Sequence, residues 1–203
     1  MRYPDFFDDV PTITLRDPLS DVLGSYEDGI IEYAYRDAVK LAGHSCPTVA
    51  GAYLMALKAI TVLYPNQMPI RGAIKVEMRD GVGDGVTGVI ASVLTLITGA
   101  AAEGGFKGIG GNFVRSNLLF FHAKIDGLAR LTRVDTGQSV VVDYNPNLAP
   151  GSPNQTILMQ KIIMGQATPE EKEEFKCLWQ ERVRIILCDL RDDPRLIILK
   201  DGS

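Results

Sequence analysis

Apolar residues recur at helical spacing in several stretches of the chain. Val49, Ala50, Tyr53, Leu54, Leu57, Ile60 and Leu63 share one side of a helix that opens at Pro47 and stops at Pro65-Asn66. Proline favours the first helical position, where its missing N–H costs nothing. Upstream, Asp28 stands where a cap belongs, and Ile30, Ile31, Ala34, Ala38, Val39 and Leu41 predict a helix from Gly29 to Leu41, stopped by Gly43. Val86 to Thr98 is almost uniformly apolar, and its 13 residues predict a buried helix. A short helix follows at Thr156 to Met164. Thr168-Pro169-Glu170-Glu171 is a capping box, opening a helix to about Leu187 with Phe175, Leu178, Trp179, Ile186 and Leu187 inward.

Elsewhere the period changes to two. Ile70 to Met78 alternates, with Ala73, Lys75 and Glu77 on one face and Ile74 and Val76 on the other. Asn117 to Lys124, Leu128 to Val134 and Ser139 to Tyr144 are three further apolar runs. Asp126-Gly127 and Asp135-Thr136-Gly137 separate them as turns, which predicts an antiparallel meander. A last strand is expected at Leu196 to Leu199. Helices come first and the sheet mostly later. The expected class is α+β, with N-terminal helices packed on a mainly antiparallel sheet and a C-terminal helix against them. No repeat and no long linker interrupts the chain, so 1–203 reads as a single domain. Within it, 1–27 forms a Pro- and Asp-rich extended arm with one short turn, 28–145 the core, and 146–203 a helical extension with the last strand.

Composition narrows the class of function. The net charge of −4 gives no basic footprint for nucleic acid. Val89 to Ala102 is the longest apolar run and is too short for a bilayer, so no membrane partner is expected. The acidic start resembles no signal peptide, and the three cysteines form no disulfide framework. These observations predict a cytoplasmic protein with reduced thiols.

The chemistry concentrates in Gly43-His44-Ser45-Cys46-Pro47-Thr48. With Pro47 as the first helical residue, Cys46 is the N-cap, where free N–H groups and the helix dipole favour a thiolate. His44 lies two residues earlier. A thiolate and an imidazole suit zinc or another borderline-soft transition metal, and equally a thiolate–imidazolium nucleophile. The plainer alternative makes Cys46 a small buried residue and His44 a loop residue. The second histidine, His122, falls on the face of Leu118 and Phe120 in the strand expected over Asn117 to Lys124. Glu77, Asp80, Asp84 and Glu103 are the carboxylates available to complete a metal site. Six glycines occupy 13 positions from Gly99 to Gly111. They match no phosphate-loop pattern, and either an anion cradle supplemented by Lys107 and Arg115 or close chain packing accounts for them. Cys177, Cys188 and Trp179 read as structural.

Gly43-His44-Ser45-Cys46-Pro47-Thr48-Val49-Ala50-Gly51-Ala52-Tyr53 resembles the H-G-H-x-C-P-G signature of the FmdE-like family, whose name comes from an operon for formylmethanofuran dehydrogenase. Glu77, Asp84 and the stretch from Thr98 to Phe106 resemble a diverged form of the family's second motif, T-G-C-T-x-G-K-G-N, and Arg115 stands in place of its lysine. The resemblance covers about residues 28 to 125. The family's first histidine falls on Ala42 and its second-motif cysteine on Ala100, and the C-terminal zinc finger of some relatives is absent. The resemblance implies an α+β core, a homodimer, and a metal or small-molecule site around His44 and Cys46, with a link to one-carbon or redox metabolism.

Three functions follow as alternatives. The first is an FmdE-like metal-binding protein, with zinc the first candidate, His44 and Cys46 as ligands, and Glu77, Asp84, Glu103, Lys107 and Arg115 around a small-molecule ligand. The second is a metal-free thiol enzyme, with Cys46 as nucleophile and His44 as its base. The third is a non-catalytic accessory component of a larger enzyme.

Overall fold

A computed structural model describes residues 3–202. The α+β class holds. A five-stranded sheet has the order β4-β3-β5-β6-β7, formed by β3 (Ile74–Met78), β4 (Leu119–Phe120), β5 (Ala129–Arg133), β6 (Ser139–Tyr144) and β7 (Ile197–Asp201). The strands β3, β5, β6 and β7 pair antiparallel, while β4 runs parallel to β3. The expected meander therefore starts at β5, not at residue 117. Asn117 and His122 both have positive φ, so the alternating pattern between them cannot extend as one strand.

Two long helices, α3 (Pro47–Leu63) and α4 (Thr87–Thr98), pack against each other and on the sheet. Both lie within two residues of their sequence-based bounds. Leu54, Met55, Leu63, Leu94 and Ile97 are fully buried there, beside Ile74, Met78 and Leu131 of the sheet. Each such side chain removed from water contributes about 1.5–3 kcal/mol. The opposite positions of β3 and β5 carry polar pairs. Glu77 faces Arg130 across the strands and accepts two hydrogen bonds from it, at 2.8 and 2.9 Å.

The N-terminal third departs most from expectation. Residues 5–9 form a 3-10 turn, β1 (Ile13–Arg16) follows, and α1 (Pro18–Val22) comes next. Phe7, Val10, Ile13 and Leu15 are buried in the same core as α3, and the arm that packs there holds a strand and a short helix beyond the one short turn expected. The helix expected over Gly29 to Leu41 is split. Ile30–Tyr33 is a strand, β2, paired antiparallel with β1, and only Tyr35–Ala42 is helical, as α2. Asp28 and Gly29 have φ of 52° and 66°, which ends any helix there. At the other end of the chain, α5 (Pro153–Ile163) and α6 (Pro169–Arg184) form a hairpin. The capping box opens α6 as the sequence predicts: Thr168 Oγ1 accepts from Glu171 N–H and Glu171 accepts from Thr168 N–H. A π turn over Ile185–Asp189 ends it. Among the described residues, no helix is long and apolar enough to cross a membrane.

One buried carboxylate joins the distant parts. Asp17 is 4% exposed and caps α1 by accepting from Leu19 N–H and Ser20 N–H. It also pairs with Arg71 at 2.9 Å and Arg115 at 2.5 Å. Arg71 donates onward to Leu96 O in α4, and Arg115 donates to Arg71 O. Gly72, with φ of +87°, leaves room for this: a Cβ there would overlap the Arg115 guanidinium. Burial pulls Arg115 below the usual arginine range, and Asp17 opposes that pull. Breaking such a group by removing its only acid strands the buried Arg115 guanidinium and the partly buried Arg71 beside it. Asp17→Ala is therefore expected to cost about 3–5 kcal/mol in urea unfolding. A loss below 1 kcal/mol, by contrast, is what an exposed pair would give and would remove the triad from this role.

Candidate site at the start of the central helix

Gly43, at φ +75°, ends α2 in the left-handed conformation that glycine adopts without a Cβ clash. The chain turns through His44 and Ser45 and enters α3 at Cys46. Cys46 is extended (φ −151°, ψ 167°) and its Sγ accepts from Val49 N–H at 3.5 Å. The N-cap position read from the sequence is thus occupied by the thiol. Cys46 is 8% exposed. His44 is exposed, and its Nδ1 lies 2.9 Å from Ala42 O. A carbonyl oxygen only accepts, so Nδ1 carries the proton. In the neutral ring, Nε2 then keeps a free lone pair.

The residue before the thiol is tied to the far end of the chain. Trp179 Nε1 and Gln180 Nε2, both on α6, donate to Ser45 O at 2.9 and 3.3 Å. Tyr35 OH and Ser45 Oγ share a hydrogen bond of 2.9 Å. Tyr144 OH, from β6, donates to Pro47 O at 2.9 Å. Its ring lies where a side chain at Gly51 would begin, which explains a glycine inside α3. Burial pushes both phenols above the usual tyrosine range, the Ser45 bond lowering Tyr35 and Arg182 lowering Tyr144 against that trend. The helix mouth is therefore framed by neutral hydroxyl donors.

The remaining residues singled out in the sequence lie in other settings. The Glu77 carboxylate is held by Arg130, and that pairing keeps it below the usual range against a smaller opposing effect of burial. Asp84 accepts from Gly81 N–H at 2.8 Å and closes the turn after β3. The His122 ring packs over the same glycine: a Cβ on Gly81 would lie 2.6 Å from His122 Cε1 and 2.8 Å from Asp84 Oδ2. His122 and Asp84 are brought together at that turn. Glu103 and Lys107 are exposed on the glycine-rich segment. That segment folds on itself. Phe106 O accepts from Arg115 N–H and Ser116 N–H, and side chains at Gly105 or Gly108 would strike the backbone of Ser116 or Asn112. Close chain packing accounts for Gly105 and Gly108, while Gly110 and Gly111 adopt positive φ with open space beside them. Arg115 does not supplement an anion cradle, because its guanidinium is buried against Asp17. Among the described residues, no group of three or more His, Cys, Asp and Glu side chains is placed to hold a metal ion. Cys177 is exposed, and Cys188 packs at the edge of the core.

Tyr35, Tyr144, Trp179 and Gln180 are the site residues that sequence reasoning did not pick out. No local pattern marks them, since Trp179 and Gln180 lie 134 and 135 residues from the carbonyl they bind.

The buried phenols have a pH consequence. Tyr35, Tyr53 and Tyr144 are all raised well above the ordinary value of 10.0, chiefly by burial. A raised folded-state pKa means stability is intact below that ordinary value and falls as pH climbs from it towards the folded value. In an ultraviolet titration of the seven tyrosines, these three are expected to ionise only as the protein unfolds in alkali. Ionisation of all seven in the folded protein at one ordinary midpoint would contradict that burial. No family model matches the sequence, and no curated protein matches it either.

Proposed function

We propose that the protein binds a transition metal ion, zinc first among candidates, through His44 Nε2 and Cys46 Sγ at the mouth of α3. The supporting observation is the bond between His44 Nδ1 and Ala42 O. Metal-bound histidines characteristically give their other ring N–H to a carbonyl or carboxylate, which fixes the tautomer and aims the free nitrogen. Two residues later stands a thiol on a helix N-terminus. Nitrogen and sulfur donors together suit zinc. This is also the site that the FmdE-like resemblance implies.

Two protein donors leave coordination positions for water, a small-molecule ligand, or a second copy of the chain. A homodimer is part of the same proposal. Leu41, Val82 and Val86 are exposed at 48%, 64% and 51%, on or next to the helices that flank the site. A metal with open positions would polarise a bound oxygen or nitrogen of a substrate. The chain's own part is to aim His44, hold the thiol against Val49 N–H, and fix the intervening Ser45 carbonyl through Trp179 and Gln180. The reaction served would be metal-dependent chemistry on a small molecule, in one-carbon or redox metabolism, or metal handling.

The test is metal analysis of untagged protein purified without chelator, for wild type, Cys46→Ser and His44→Gln, each checked for folding by circular dichroism. About one transition metal ion per chain is expected in wild type, lost in both variants and released on acidification as the donors take up protons. Metal-free wild type, or metal content unchanged in both variants, would overturn the reading. The thiol-nucleophile alternative would then predict alkylation of Cys46 at a rate that depends on His44.

A further inference from the structure

The α5–α6 hairpin lies outside residues 28–125, on which the family resemblance rests. A cavity of about 310 Å³ opens between its helices, lined by Gln155, Thr156, Phe175, Trp179 and Arg182 together with Gly151. Two features of this cavity are unusual. Gln155 is 6% exposed, and its Oε1 has no hydrogen-bond partner. Buried amide oxygens are nearly always paired, because leaving one unpaired forfeits its hydration. Arg182 is half-buried and takes part in no ion pair among the described residues. Its Nε donates to Ala149 O at 2.6 Å, which fixes the plane of the guanidinium.

The two groups lie close together beside Gly151. A Cβ on Gly151 would lie 2.8 Å from Gln155 Oε1 and 3.8 Å from Arg182 Nη1. Glycine at 151 leaves that space free. An unpaired buried oxygen therefore stands beside a half-buried guanidinium with no ion pair among the described residues, and Phe175 and Trp179, whose rings are 5.5 Å apart, line the same cavity.

We propose that this cavity binds a small carboxylic acid bearing an amine or hydroxyl on the adjacent carbon, with an apolar side chain. Its carboxylate pairs with the terminal nitrogens of Arg182, a planar fork suited to carboxylates. Its amine or hydroxyl donates to Gln155 Oε1. Its apolar part lies on Phe175 and Trp179. Because Trp179 also donates to Ser45 O, the bound acid sits one side chain away from the residue that precedes Cys46.

Trp179 is the only tryptophan, so its emission reports occupancy directly. Chelator-treated protein is titrated with free leucine, α-hydroxyisocaproate, isocaproate, leucinamide and inorganic phosphate, so the result does not depend on the proposed metal site. Leucine or its hydroxy analogue is expected to give a saturable emission change and a rise in Tm. Isocaproate, which lacks the donor, and leucinamide, which lacks the carboxylate, are expected to give neither. Whichever of the first two responds identifies the donor as amine or hydroxyl. Arg182→Met and Gln155→Leu should each weaken binding by roughly tenfold or more. Ligand-free Gln155→Leu should keep or exceed the wild-type Tm, since the unpaired oxygen is gone. The proposal is overturned by a flat response to both leucine and α-hydroxyisocaproate, by a response to phosphate alone, or by binding that survives both substitutions.

Discussion

The buried carboxylate of Asp17 is the contact on which the arrangement of the N-terminal half depends. It accepts two backbone N–H groups at the start of α1 and two arginines from segments 54 and 98 residues away. One of those arginines reaches the Leu96 carbonyl near the end of α4. Backbone bonds from Arg16 to Pro69 O and from Arg71 N–H to Arg16 O join β1 to the segment before β3, and the Asp17 group adds the link to Arg115 beyond the glycine-rich stretch. A single buried acid serving one buried and one partly buried cation is an exacting arrangement, because desolvation of the charges is offset only while every partner is in place. Gly72 is part of it through the volume it leaves empty.

This constraint also explains which parts of the fold were legible in the sequence. The helices α3, α4 and α6 carry their own signals: Pro47 at the first position, a continuous apolar run, a capping box. The strands β5 and β6 are announced by Asp135-Thr136-Gly137. Their local preferences agree with their final places. Ile30 to Tyr33 carries no such signal, because its residues fit a helical face and a strand alike. Pairing with Ile13 to Arg16 decides the matter, and that pairing is a tertiary event. The segment from Asn117 to His122 alternates as a strand should, yet two positive φ values break it. Arg115 was legible as a charge and not as a buried one, since nothing near it in sequence announces Asp17.

The site divides in the same way. Cys46 at the cap of α3 follows from one proline and the apolar run after it. The free nitrogen of His44 depends on the left-handed turn at Gly43, which a stop signal at that glycine already suggests. What closes around the start of α3 was not legible. Tyr35, Tyr144, Trp179 and Gln180 come from three different elements and meet only in the folded chain. Among the residues marked by the sequence, the acidic ones are mostly occupied with structural work. Glu77 is tied to Arg130 and Asp84 to Gly81 N–H. The metal proposal rests accordingly on two donors rather than on the wider set.

The bond from Trp179 to Ser45 O also orders events in time. On a ribosome, chain emerges from its beginning, so residues 44 to 46 leave the exit tunnel long before α6 exists. Pairing between β6 and β7 comes later still, as Ile197–Asp201 are made after α6. The Ser45 carbonyl therefore waits for its two side-chain donors through much of synthesis, although the helix that Cys46 caps can already form. Docking of α6 afterwards brings Trp179 and Gln180 onto the Ser45 carbonyl and fixes the turn that leads into α3.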